Sequence, residues 1–130
     1  HNRVGFLMVE DLEQLKKGGR VSGIKAVLAK LFKIKPVILF DHNGLTNFDK
    51  VKDYEGLFAI LDKQIAEKYN GAKITRAIVF TPYGDNQTKD RYLSEYTRHY
   101  GQIPYDLVTF PTVVVSHTGL KHVAIYVKLQ

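Results

Sequence analysis

The sequence predicts an α/β protein of the α+β type: a mixed, largely antiparallel sheet flanked by helices. Three observations predict it. Apolar runs of strand length are interspersed with amphipathic stretches of helical period, and an Asn-Gly pair joins two strands directly as a hairpin. The resulting order, β-α-α-β-β-α-β-α-β-β, is not the uniform alternation of a parallel fold. One domain is expected over residues 1–130, because no low-complexity tract, internal repeat or Pro- or Ser-rich linker divides the chain.

Gly5–Val9 is an apolar run and reads as the first strand. Residues 11–17 read as a short helix with Leu12 and Leu15 inward and two lysines at its end, stopped by Gly18-Gly19. From about Ser22, a fair N-cap, a second helix places Ile24, Val27, Leu28, Leu31 and Phe32 on one face. Residues 34–41 are β-rich, His42-Asn43-Gly44 turns the chain, and residues 45–52 return. Leu57, Phe58, Leu61, Ile65 and Tyr69 form the stripe of a helix over 53–69, ended by Asn70-Gly71. A strand over 74–81 stops at Pro82-Tyr83-Gly84. A helix over 89–100 carries Tyr92, Leu93, Tyr96 and Tyr100 in register, and strands over 112–116 and 123–129 close the chain.

Composition excludes several classes of function. With no Cys among 130 residues there is no disulfide framework, thiolate catalyst, Cys-based zinc site or iron–sulfur cluster. No apolar run approaches the roughly 20 residues that cross a bilayer as a helix, and His1-Asn2-Arg3-Val4 begins no signal peptide, so a cytoplasmic location without membrane insertion is expected. The chain starts with His1 rather than Met, so an excised piece of a longer protein is expected. Phosphate-loop, dinucleotide, HExxH and GxSxG motifs are all missing. His117 with Ser116 lacks an acidic orienter, and the five histidines lack metal spacing. We therefore expect no catalysis, no metal and no cofactor.

The net charge of +6 lies in one segment. Residues 16–35 carry seven basic residues and no acidic one, and the remainder of the chain nets −1. A solvated helix face accounts for this; alternatively Lys16, Lys17, Lys30 and Lys33 dock an anionic partner. Phe32 is the only aromatic there, so the aromatic interleaving that would strengthen a nucleic-acid reading is nearly absent. Two polar clusters stand out. Gly18-Gly19-Arg20-Val21-Ser22-Gly23 combines glycines, a guanidinium and a hydroxyl beside a helix start, and Ser116-His117-Thr118-Gly119 follows an apolar strand. Each also reads as an ordinary junction or turn.

Taken together, Asp11-Leu12-Glu13-Gln14-Leu15-Lys16-Lys17-Gly18-Gly19-Arg20-Val21-Ser22, Ile34-Lys35-Pro36-Val37-Ile38, Asp49-Lys50-Val51-Lys52 and His117-Thr118-Gly119 resemble the C-terminal domain of the DegV family over essentially the whole chain. The resemblance implies a fatty-acid-binding module that lacks the family's N-terminal domain. That domain contributes part of a carboxylate site, and some members present the carboxylate to a fatty-acid kinase. On this resemblance His117, Thr118, Arg20 and Ser22 would bind the carboxylate of a long-chain fatty acid, and Ile24, Val27 and Leu28 would line its acyl channel. The family's Pro and second Gly after His-Thr-Gly are replaced here, the chain reading Leu120-Lys121-His122. The other reading is an electrostatic module that uses residues 16–35 to contact nucleic acid or an acidic protein.

Overall fold

A computed structural model describes residues 2–11, 34–110 and 121–130. Among these are six strands, β1 (Arg3–Asp11), β2 (Lys35–Asp41), β3 (Gly44–Val51), β4 (Ile74–Pro82), β5 (Tyr105–Phe110) and β6 (Lys121–Leu129), and two helices, α1 (Tyr54–Lys68) and α2 (Asn86–Tyr100). The strands form one sheet in the order β3-β2-β1-β6-β4-β5, antiparallel at every step except the parallel pair β4–β5. The mixed, largely antiparallel sheet read from the sequence is the sheet observed.

Both helices lie on one face. Val4, Phe6 and Met8 of β1 meet Val37 and Leu39 of β2 and Val123, Ile125 and Val127 of β6 in register. All are buried against Leu57, Phe58 and Leu61 of α1 and Tyr92 and Tyr96 of α2. Phe58 is the hub where the helices meet. Its ring stacks on Tyr92 at 5.9 Å and lies edge-on to Tyr100 at 5.3 Å. Tyr100 donates its hydroxyl to Asp62 Oδ1 (2.6 Å), and His99 Nε2 lies 2.7 Å from Asp62 Oδ2, so one carboxylate clips α2 to α1. Burial and that bond push the Tyr100 hydroxyl far above its usual range, and burial raises Tyr96 to about 12.

Several boundaries differ from expectation. β1 is longer than Gly5–Val9 and includes Asp11, where the sequence predicts the start of a helix; the rest of that helix and the one expected from Ser22 lie outside the described residues. α2 begins at Asn86, not 89, because Asp85 caps it by accepting from the Thr88 N–H at 3.0 Å. β5, between two prolines, had no predicted counterpart, and the expected strand over 112–116 falls outside the described residues. The hairpin forms where Asn43-Gly44 predicted it, with Asp41 opposite Gly44 and φ +109° at Gly44. Asp41 Oδ1 accepts from the Asn43 N–H (2.7 Å), which fixes the turn.

Candidate functional site

The four ends of the chain bordering residues 12–33 and 111–120 lie at one end of the sheet. β1 finishes at Asp11, in register with Lys121 where β6 starts; β2 starts there at Lys35; and Phe110, the end of β5, is paired with Pro82. The two motif-bearing segments, almost a hundred residues apart in sequence, are thus rooted on adjacent strands. The predicted site residues themselves, His117, Thr118, Arg20 and Ser22, the channel residues Ile24, Val27 and Leu28, and the lysines Lys16, Lys17, Lys30 and Lys33, all lie outside the described residues.

Below this end, the sheet face opposite α1 and α2 is apolar. One transverse row crosses all six strands: Phe48, Ile38, Leu7, Ala124, Phe80 and Val108 are successive register partners. The next row holds Leu45, Phe40, Gly5, Tyr126 and Ile78. Leu45 and Phe48 differ in parity along β3 and reach the same face because the register shifts between Leu39 and Phe40. Thr46, the residue passed over, donates its hydroxyl to the Leu39 carbonyl at 3.2 Å. At the sheet margin the face is open: Phe48 is 65% exposed and Leu45 60%. Towards the middle it is shallow at Ala124 and closed at Gly5, where the Phe40 and Tyr126 rings stack across β1 with centroids 5.8 Å apart and 13° between planes. The glycine is required by this close approach, since a Cβ would meet the Phe40 ring at 2.6 Å and Tyr126 at 2.8 Å.

The lane has unlike ends. Near the motif-bearing end His122 pairs with Val9 and is buried, and burial lowers its pKa, favouring the neutral imidazole. At the foot, Arg3, Lys128 and Arg76 are register neighbours and exposed. Arg76 grips Asp106 with Nε and Nη2 (3.0 and 2.6 Å), which holds the Asp106 carboxyl below its usual range. Two apolar rows bounded by charge at the foot suit an extended alkyl group. Among the described residues the helix side carries a cleft of about 570 Å³ with charged walls, Lys35, Asp90, Arg91, Glu95 and Arg98 among them, and a smaller one of about 450 Å³ lined by Ile65, Ala72, Ile74 and Ile103. Among the described residues no group of three His, Asp or Glu is placed to hold a metal, and no helix is long and apolar enough to cross a membrane.

This lane was not identified from the sequence, although a signal was present. Gly5–Val9 and Ala77–Phe80 are continuous apolar runs rather than alternating ones, as expected of strands covered on both faces.

Residues 2–129 match the family model described as "Uncharacterised protein, DegV family". A DegV domain-containing protein of Streptococcus pyogenes serotype M1 is 36% identical over 121 residues, 88% of this chain and 40% of the relative. The DegV domain-containing protein YqaC of Lactococcus lactis is 29% identical over 120 residues, 92% of this chain and 42% of that protein. The chain therefore spans less than half the length of the curated relatives it matches. Among solved structures, a DegV family protein from Eubacterium eligens loaded with heptadecanoic acid matches 99% of this chain and 46% of its own at TM-score 0.61 and 15% identity. The fatty acid binding DegV family protein of Streptococcus agalactiae matches 96% and 44% at TM-score 0.53 and 24% identity. A stearic acid-binding protein from Eubacterium ventriosum matches 99% and 44% at TM-score 0.57 and 20% identity. At these identities the likeness is one of fold.

Proposed function

The chain belongs to the DegV family, and from that premise we propose that it is the acyl-holding part of a longer fatty-acid-binding protein, the rest of which supplies a second domain. The observation that carries the reading is the apolar sheet face opposite α1 and α2, whose strands end where both motif-bearing segments are rooted. The acyl chain lies along that face, with Ile24, Val27 and Leu28 as further channel residues. Its carboxylate sits at the Asp11/Lys121 end with His117, Thr118, Arg20 and Ser22 as donors. Solved relatives described as loaded with heptadecanoic acid or binding stearic acid support the class of ligand.

The physics favours such a ligand on both counts. Each methylene moved from water to an apolar wall contributes about 0.8 kcal/mol, and a carboxylate takes charge-assisted bonds from Arg or imidazolium. The chain binds and performs no chemistry of its own. The lysines Lys16, Lys17, Lys30 and Lys33 form the docking face for an acidic partner, a fatty-acid kinase to which the carboxylate is presented.

Native mass spectrometry of the full-length protein is the test, and it should retain the mass of a long-chain fatty acid. His117→Ala and Arg20→Ala should each weaken binding about ten- to over a hundredfold, the cost of one charge-assisted donor of about 1.5–3 kcal/mol. The double variant should lose less than the product of the two, because both serve one ligand group. Absence of bound lipid overturns the reading; strict additivity removes Arg20 from the site.

A further inference from the structure

Resting on that reading of the sheet face, we propose that the Phe40–Tyr126 pair, closed over Gly5, is the stop that sets the length of acyl chain this protein accepts. The lane has a floor that changes character along β1. Beside Leu7 it is low, because the neighbour on β6 is Ala124. One step further, the two rings stack across the strand and leave no depth beneath them: even a methyl group on Gly5 would lie 2.6 Å from the Phe40 ring. Beyond the rings the face turns cationic, with Arg3, Lys128 and Arg76 side by side in register. A tail that passed the rings would end among charges, so the obstruction and the loss of apolar floor coincide.

The length available matches. From Asp11 to Gly5 the strand advances about 20 Å at roughly 3.3 Å per residue. An extended alkyl chain advances about 1.25 Å per carbon, given bonds of about 1.5 Å and near-tetrahedral angles. The stretch of strand between the motif-bearing end and the rings therefore equals the extent of about 16 carbons. Heptadecanoic and stearic acids, described for two of the solved relatives, are of that order.

The test is competition binding on the full-length protein with saturated acids graded from dodecanoic to docosanoic. The wild type should prefer palmitic or stearic acid and discriminate against docosanoic acid. Replacing both rings (Phe40→Ala with Tyr126→Ala) opens one further row, about 7 Å, or roughly five methylenes. The preference should then move to arachidic or docosanoic acid, by up to about fourfold per additional buried methylene. Phe40→Leu with Tyr126→Leu, which keeps the face apolar, should shift it the same way by a smaller step and serves if the alanine pair fails to fold. An unchanged chain-length preference in these variants overturns the stop. So does loss of all binding by the leucine pair with a native circular dichroism spectrum, which would make the rings part of the grip. A wild type that binds no fatty acid overturns the underlying reading instead.

Discussion

Gly5→Ala isolates the ring closure energetically, without reference to any ligand. Gly5 is not among the glycines with positive φ, so alanine can adopt its backbone without strain. On that ground alone the substitution should stabilise by about 0.4–1 kcal/mol, through reduced freedom of the unfolded chain. Against it stands the new methyl, whose carbon would sit 2.6 Å from two carbons of the Phe40 ring and 2.8 Å from Tyr126. Overpacking of this kind costs about 1–3 kcal/mol. Here the ring tips can swing outward, at the expense of a stacked pair that contributes about 0.5–1.5 kcal/mol. The net expectation is destabilisation of about 1 kcal/mol, seen as a lower urea midpoint and a Tm lowered by about 3–5 °C. In a Phe40→Ala, Tyr126→Ala background the clash is gone, and the same Gly5→Ala should become stabilising. The coupling across this cycle should then be about 1.5–2 kcal/mol. The cycle is read by urea unfolding of the 130-residue chain, followed by circular dichroism. An effect of the same sign and size in both backgrounds would refute the close approach as the reason for glycine.

Two further outcomes follow from the helix side and from the lane. Phe58→Ala should cost about 3–5 kcal/mol, while Phe58→Leu, which keeps most of the volume but loses the ring contacts to Tyr92 and Tyr100, should cost about 1–2; a Phe58→Leu variant that melts with the wild type would remove the aromatic contribution. His122 has a folded-state pKa lowered by burial, so the unfolded chain binds its proton first. Stability should be fully present above the unfolded value of about 6.5 and fall as pH drops below it, and His122→Gln should flatten that fall in urea midpoints measured from pH 7 to pH 5.

The parts of the fold that were legible in the sequence are those whose signals are local. The stripe Leu57, Phe58, Leu61, Ile65 carries the period of α1, and the Asn43-Gly44 pair marks the hairpin within one residue. Gly44 sits not at the centre of the turn but just after it, with His42 and Asn43 keeping negative φ, a detail of turn type that dipeptide preference does not resolve. β5 was not legible because its pairing is remote: Tyr105–Phe110 has no clean alternation and becomes a strand by lying parallel to β4. The lane was half legible. Apolar runs in β1 and β4 indicate two covered faces, but only the strand order aligns Phe48, Ile38, Leu7, Ala124 and Phe80 into one row. The motif residues Arg20 and His117 stood out by chemistry alone, and the structure adds that the segments carrying them share a root at Asp11 and Lys121.

The placement of β1 beside β6 has a consequence for how the molecule comes into being. Val4 is registered with Val127, so the two central strands of the sheet are the earliest and the latest of the six to leave the ribosome. At about 5–20 residues per second, β1 waits on the order of ten seconds for its partner. Until then β2 is the one sheet neighbour of β1 that has been made, and the other hydrogen-bonding edge of β1, Phe6 and Met8 included, has no native partner. The chain therefore closes its core in a single late, non-local step, the kind of contact that slows folding. Loss of β6 would leave β1 and β4 without a common neighbour, and the nascent chain in the hands of chaperones and proteases.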